Sequence, residues 1–329
     1  MNQYLRSLGP TGQVHALFLV LFGLLALITA VVLAQSLRPR PDTPGHRARR
    51  LEWQRTGAMV RTSWLMAVVF WVGWLLGHGA ATALFGLVSF FVLREFVTLS
   101  PTRRGDHRSL ALAFFVVLPL QFWLVATRRF DLFTVFIPVY VFLALPVASA
   151  LAGDTERFLE RTAKMQWGIM VCVYGLSHVP ALLLLDFPRY GGRGAFLVFY
   201  LVFVVQSGLL VQHLAGRLLH RPPAAPQVSL SFQWQAWALG LAAAGMLGGL
   251  LSFITPFKPG QSLAMALLAA FAATLGHLVM KALKRDRGVA SWGLQGLPAG
   301  GAGGLLDRVD GLCFAAPVFF HSARWYFGA

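Results

Sequence analysis

Two stretches near the C-terminus carry residue types suited to phosphate chemistry. The first reads Lys284-Arg285-Asp286-Arg287-Gly288-Val289-Ala290-Ser291-Trp292-Gly293. After a glycine-rich passage through Gly304, the second reads Leu305-Leu306-Asp307-Arg308-Val309-Asp310. Carboxylates hold Mg²⁺, and the metal together with Lys and Arg neutralises transferring phosphates. Asp307 and Asp310 are three residues apart, which places them on one face of a helix that starts there. A cytoplasmic interfacial loop with flexible glycines and helix-capping aspartates has the same composition, so the residues alone leave both readings open.

Other chemistries find little support. The two cysteines, Cys172 and Cys313, both fall in apolar runs, with no CxxC, zinc spacing or disulfide framework. No P-loop, HExxH, GxSxG or internal repeat is present. His178, His213 and His277 lie within apolar runs, where ionisable groups are costly and often functional. His178, flanked by Ser177 and Pro180, reads first as a neutral histidine bonded to a neighbouring helix, with a proton path or lipid cavity as the alternative. Glu95 beside Arg94 reads as an interfacial ion pair, although its carboxylate could also reach a site.

The elements that must position these groups are membrane helices. Of 329 residues, 57% are hydrophobic and only 12% charged, and the mean hydropathy is +0.65. Soluble domains carry roughly 25% charged residues. Ten apolar runs, at 14–35, 63–76, 80–93, 110–126, 133–152, 166–185, 194–211, 236–254, 262–283 and 312–327, predict an all-α transmembrane bundle of about ten spans in a single domain over 1–329. The first run lacks Asp, Glu, Lys and Arg and is too long for the core of a signal peptide, so it reads as a retained span. With the N-terminus outside, the inner segments hold roughly three times as many Lys and Arg as the outer ones. Both termini are therefore expected outside and the basic loops in the cytoplasm. The net charge of +16 is spread beside spans and forms no contiguous groove, which argues for anionic lipid and against nucleic acid.

The stretch from Lys284 to Asp310 resembles the signature of the phosphatidate cytidylyltransferase (CDP-diacylglycerol synthase) family. That signature runs S-x-x-K-R-x-x-G-x-K-D, a spacer, G-H-G-G, two residues, then D-R-x-D. Lys284, Arg285, Gly288, Gly301, Gly303, Gly304, Asp307, Arg308 and Asp310 fit it, as does a following apolar helix with Pro317. Weaker matches are Arg94-Glu95-Phe96 and Gly175-Leu176-Ser177-His178. The resemblance implies that the phosphate of phosphatidate attacks the α-phosphorus of CTP with loss of pyrophosphate, and that residues from about 194 to 329 form the catalytic region. It further implies Lys284, Arg285 and Arg308 as catalytic cations, Gly301, Gly303 and Gly304 as the nucleotide-binding glycines, and Asp307 and Asp310 as Mg²⁺ ligands. CTP enters as substrate and phosphatidate as the lipid partner, with a homodimer or a lipid-synthesis enzyme as possible protein partners.

Several family positions are replaced. The leading Ser is Lys281, the Lys-Asp pair is Ala290-Ser291, the signature His is Ala302, and the spacer is longer. The Ser-Asp of the seventh span is Ser207-Gly208. In the preceding loop, aligned on Pro226 and Ser229, Pro222, Pro223, Phe232 and Gln235 stand for His, Lys, Lys and Glu. Losing several groups from one site leaves little transition-state stabilisation. The expectation is an impaired or inactive paralogue in a bacterial inner membrane that binds lipid or a partner. An active CDP-diacylglycerol synthase is the alternative and a transporter the third reading, though no inverted repeat supports the last.

Overall fold

The computed structural model describes residues 10–36, 64, 67–68, 70–100, 102–187, 193–219, 221–229, 232–289, 291–293 and 304–327. Arg38, Arg40, Arg47, Arg49, Arg50, Arg55 and Arg61 of the first basic loop, together with Ala290, Gly301, Ala302 and Gly303, lie outside them. Every principal element among the described residues is helical: α1 Pro10–Ser36 and α2 His78–Thr98, α3 Arg104–Ala126, α4 Phe130–Ala150, α5 Phe158–Leu183, α6 Gly194–Leu219, α7 Trp234–Ile254 and α8 Pro259–Asp286, and α9 Leu305–Phe327. The seven from α2 to α8 are long and apolar enough to cross a membrane. The apolar run at 14–35 lies in α1, and that at 312–327 lies in α9, whose length also includes Asp307, Arg308, Asp310 and Arg324.

The chain divides into two compact units, one of residues 1–81 with 294–303 and one of residues 82–293 with 304–329. Aromatic rings hold the first together. Phe22 stacks on Trp64 at 5.7 Å, Phe18 meets Phe70 at 5.5 Å, and the Trp64 indole N–H donates to the Thr29 hydroxyl at 2.9 Å.

In the second unit, helical prolines set the packing. A proline withholds the amide that would bond the carbonyl four residues earlier, and a bilayer offers no water in its place. Pro138 leaves the carbonyl of Thr134, which accepts from the Tyr174 hydroxyl of α5 at 3.3 Å. Pro146 leaves the carbonyl of Phe142, which accepts from Gln166 Nε2, also on α5, at 2.8 Å. Pro317 leaves the carbonyl of Cys313 in α9, and here Gly175 of α5 crosses so closely that a Cβ would strike that oxygen. Three helices also contain a widened π turn, at Ala113–Val117, Phe136–Val141 and Met170–Gly175. Within the last, the Cys172 carbonyl accepts from the Ser89 hydroxyl of α2 at 2.7 Å.

Two connections are tied by a buried arginine. The Arg161 guanidinium pairs with Asp106 at 2.9 Å and with Asp154 at 2.7 Å, and it donates to the carbonyls of Glu156 and Asp154. The α2–α3 and α4–α5 turns are thereby fixed to the start of α5. Beyond them, α6 to α9 pack through small residues. An ideal Cβ on Gly208 of α6 would lie 3.3 Å from the Ala244 Cβ and 3.4 Å from the Gly240 carbonyl oxygen of α7, and one on Gly240 would lie 2.7 Å from the Gly208 carbonyl oxygen. Small residues that let backbones approach are the usual device where lipid supplies no hydrophobic drive.

Gly175→Ala is expected to lower the thermal unfolding midpoint of the purified protein in detergent, equivalent to about 1–3 kcal/mol of overpacking. Gly260→Ala, where an added methyl meets open space, serves as the control and leaves the midpoint nearly unchanged. Equal midpoints for the two variants would show that the crossing is loose.

Candidate functional site

The site is built on the antiparallel pair α8 and α9 and on the segment 291–293. Helix α9 starts immediately after Gly304, whose φ of +82° favours glycine. A Cβ there would also fall 2.8 Å from Asp307 Oδ2 and 3.0 Å from Ser291 Oγ. The first amides of α9 have no partners within the helix. Glu95 of α2 takes two of them, accepting from Leu305 N–H at 3.0 Å and from Leu306 N–H at 2.8 Å. A carboxylate at a helix N-terminus is favoured by the amide dipoles as well. For Glu95 the sequence leaves open an interfacial ion pair with Arg94 or a carboxylate that reaches the site; the structure places it at the start of α9.

Asp307 is the hub. Its Oδ1 accepts from Lys284 Nζ at 2.6 Å, and its Oδ2 accepts from the Ser291 hydroxyl at 2.6 Å and from the Trp292 N–H at 2.9 Å. Trp292 is buried and stacks on Phe96 at 5.5 Å, which carries the segment 291–293 back onto α2. One turn further along α9, Asp310 Oδ2 lies 2.7 Å from His277 Nδ1, and Oδ1 accepts from the Gly311 N–H at 2.6 Å. The Asp310 side chain is only 3% exposed.

His277, Lys281 and Lys284 are spaced four and then three residues apart, one face of α8. Lys281 Nζ donates to Ser229 Oγ at 3.4 Å, bringing in the 221–229 loop. His213 of α6 lies within electrostatic reach of Arg217, Lys281 and His277. Arg308 lies near Asp307 and Glu95, and Arg285 is exposed. Thus Lys284, Arg308, Gly304 and Asp307 gather at one end of the α8–α9 pair, Asp310 sits one turn deeper, and Arg285 points to the surface. Gly301 and Gly303 lie outside the described residues. The sequence reading did not include His277 or Lys281 among the site residues; their common helical face with Lys284 was the available signal.

Mg²⁺ needs only one or two carboxylates, with water and phosphate oxygens completing its shell. Here each oxygen of Asp307, Asp310 and Glu95 already accepts from a protein donor, and the donor on Asp307 Oδ1 is itself a cation. Among the described residues no group of three or more His, Cys, Asp or Glu converges as a metal site. Asp307 and Asp310, one turn apart, keep lone pairs beyond those the protein donors use, so they are the residues that would hold such an ion, with Lys284 competing for Asp307.

Comparison with known proteins agrees with the signature. A model of the cytidylyltransferase family matches residues 57–326. An uncharacterized protein of Escherichia coli (strain K12), YnbB, is 33% identical over 276 residues, which cover 81% of this chain and 86% of YnbB. A phosphatidate cytidylyltransferase of Brucella abortus biovar 1 (strain 9-941) is 37% identical over 125 residues, covering 37% of this chain and 45% of that enzyme. One from Mycobacterium leprae (strain TN) is 32% identical over 138 residues, covering 41% of this chain and 42% of its own length. With a family match running across most of its length, the chain belongs to the cytidylyltransferase family.

Proposed function

We propose that this protein is a membrane member of phospholipid metabolism that binds the phosphate head group of phosphatidate, or a closely related anionic lipid, and in which transfer of CMP from CTP is severely impaired. The observation that carries the reading is the packing of Gly208. Family members commonly place a carboxylate at this position, and here it is filled by the approach of Ala244 and Gly240, with Ala270 beside them. The loss is therefore built into the helix crossing. Ser291, where the signature has Asp, is likewise committed to Asp307.

Nucleotidyl transfer is mainly positioning and neutralisation of charge on the transferring and leaving phosphates. Lys284, Arg285 and Arg308 remain to hold phosphate, with Gly301, Gly303 and Gly304 as the nucleotide-side glycines and Asp307 and Asp310 as the acidic pair. Lys284 is drawn to Asp307, which reduces what it offers to a substrate. A cavity of about 170 Å³ beside Trp292 has apolar walls from Phe96, Trp167 and Leu283, which suit an acyl chain, and a polar edge of Glu160, Lys164 and Arg287 in which Lys164 pairs with Glu160. In this reading the protein has the signature face in the cytoplasm of a bacterial inner membrane and both termini outside, and it acts alone, as a homodimer or beside a lipid-synthesis enzyme.

Purified protein in detergent, supplied with phosphatidate, labelled CTP and Mg²⁺, is expected to form CDP-lipid at least about 10³-fold more slowly than the Brucella abortus enzyme assayed in parallel, since removing one charge-stabilising group costs roughly 10²–10³ in rate. Comparable turnover that disappears in Asp307→Ala would overturn the reading. Gly208→Asp is expected to lower the unfolding midpoint without creating turnover, because the carboxylate meets the Ala244 methyl and the Gly240 carbonyl. A variant as stable as wild type and newly active would show that the crossing has room.

A further inference from the structure

We propose that the cavity beside Trp292 binds one free fatty acid, with the hydrocarbon chain inside the cavity and the carboxylate at Lys164. This occupant goes beyond the phosphatidate reading above, since it is a single-chain acid without phosphate and uses a space apart from the Asp307 hub.

Two neighbouring cavities set the size of the ligand. The larger, of about 170 Å³, has Phe96, Trp167, Leu283 and Trp292 in its walls. An apolar cavity of roughly 150 Å³ takes one benzene ring, so this one has room for part of one chain and none for two. The smaller, of about 20 Å³, shares Phe96, Ser100 and Lys164 with it and adds Thr102, Asp106 and Arg161 among its lining residues. A volume of that size holds about one water, which suits a head group of two or three atoms and is too small for a substituted phosphate.

Lys164 is the one cation that borders both cavities. The other two cations are engaged: Arg161 with Asp106 and Asp154, and Arg287 with Asp286 at 3.4 Å. The Arg161 pairing also neutralises Asp106, the acidic group of the smaller cavity. Lys164 is paired with the half-exposed Glu160, four residues earlier on α5. Such exposed pairs are worth little, so an incoming carboxylate can take the place of Glu160 and release it to water. The cavity lies where α2 ends, α5 begins and α8 ends, the level at which an amphiphile turns its head to water and its chain to the apolar layer. Its wall also touches the hub. Trp292 stacks on Phe96 and donates its backbone N–H to Asp307, so a chain in the cavity rests against a residue that holds the hub in place.

The test is equilibrium binding of radiolabelled decanoate to the full chain in phosphatidylcholine nanodiscs, with empty nanodiscs giving the partition into lipid alone. One decanoate per chain is expected to bind saturably above that background. Decanol, which has the chain without the charge, is expected to bind about tenfold more weakly. Lys164→Met lowers decanoate affinity to that of decanol and leaves decanol unchanged, whereas Lys164→Arg retains most of the decanoate affinity. Ala163→Phe, at an exposed position lining the cavity, weakens both ligands at least about tenfold by filling the space for the chain. No saturable binding, equal affinity for decanoate and decanol, or decanoate binding unaffected in both Lys164→Met and Ala163→Phe would overturn the proposal. Displacement of decanoate by an equal concentration of dihexanoyl phosphatidate would assign the cavity to the diacyl lipid, sinking this proposal while leaving the phosphatidate reading in place.

Discussion

A backbone carbonyl inside a bilayer has no water to turn to, and much of this fold follows from where such carbonyls are left and what meets them. Pro138 and Pro146 expose two on α4, and side chains of α5 answer both. Pro317 exposes a third on α9, at the point where the bare backbone of Gly175 lets α5 pass close beside it. Helix α5 is thereby the post against which α4 and α9 are both placed. Because α9 carries Asp307 and Asp310, the position of the acidic pair is fixed by contacts that begin at a proline two turns below it.

The polar end of the same helix is held by an equally specific accounting of donors. Glu95 satisfies the amides that begin α9, Asp307 gathers an ammonium, a hydroxyl and an amide, and Asp310 takes an imidazole and an amide. Half-buried charges persist only when paired in this way. The result is a site in which acidic and basic groups chiefly satisfy one another, and an incoming anion would have to compete for the same cations.

The helical class could be read directly from the apolar runs, because charge-free stretches of bilayer length have few other uses. The family was legible in Lys284, Arg285, Asp307, Arg308 and Asp310, whose order survives extensive change around them. Partners across long sequence separation were not legible. Nothing local to Arg94-Glu95 reveals that this carboxylate seats a helix starting 210 residues later, and nothing around Asp310 names His277. Nor does anything local to Ser207-Gly208 reveal the close approach of Gly208 to Ala244 and the Gly240 carbonyl, which only the crossing of α6 with α7 shows. His178 was expected to bond a neighbouring helix; its Nδ1 instead lies 2.7 Å from the Tyr174 carbonyl of its own helix, leaving the ring to pack among Phe133, Phe320 and His321.

The Gly208–Gly240 crossing constrains which substitutions this chain can accept. A surface position can exchange one residue for another without any neighbour moving. Between these two helices a side chain longer than that of glycine has to displace Ala244 or the facing carbonyl, so a larger residue at either position is tolerated only with a matching change on the partner helix or at a cost in stability. The contact therefore ties the sequence choices of α6 to those of α7.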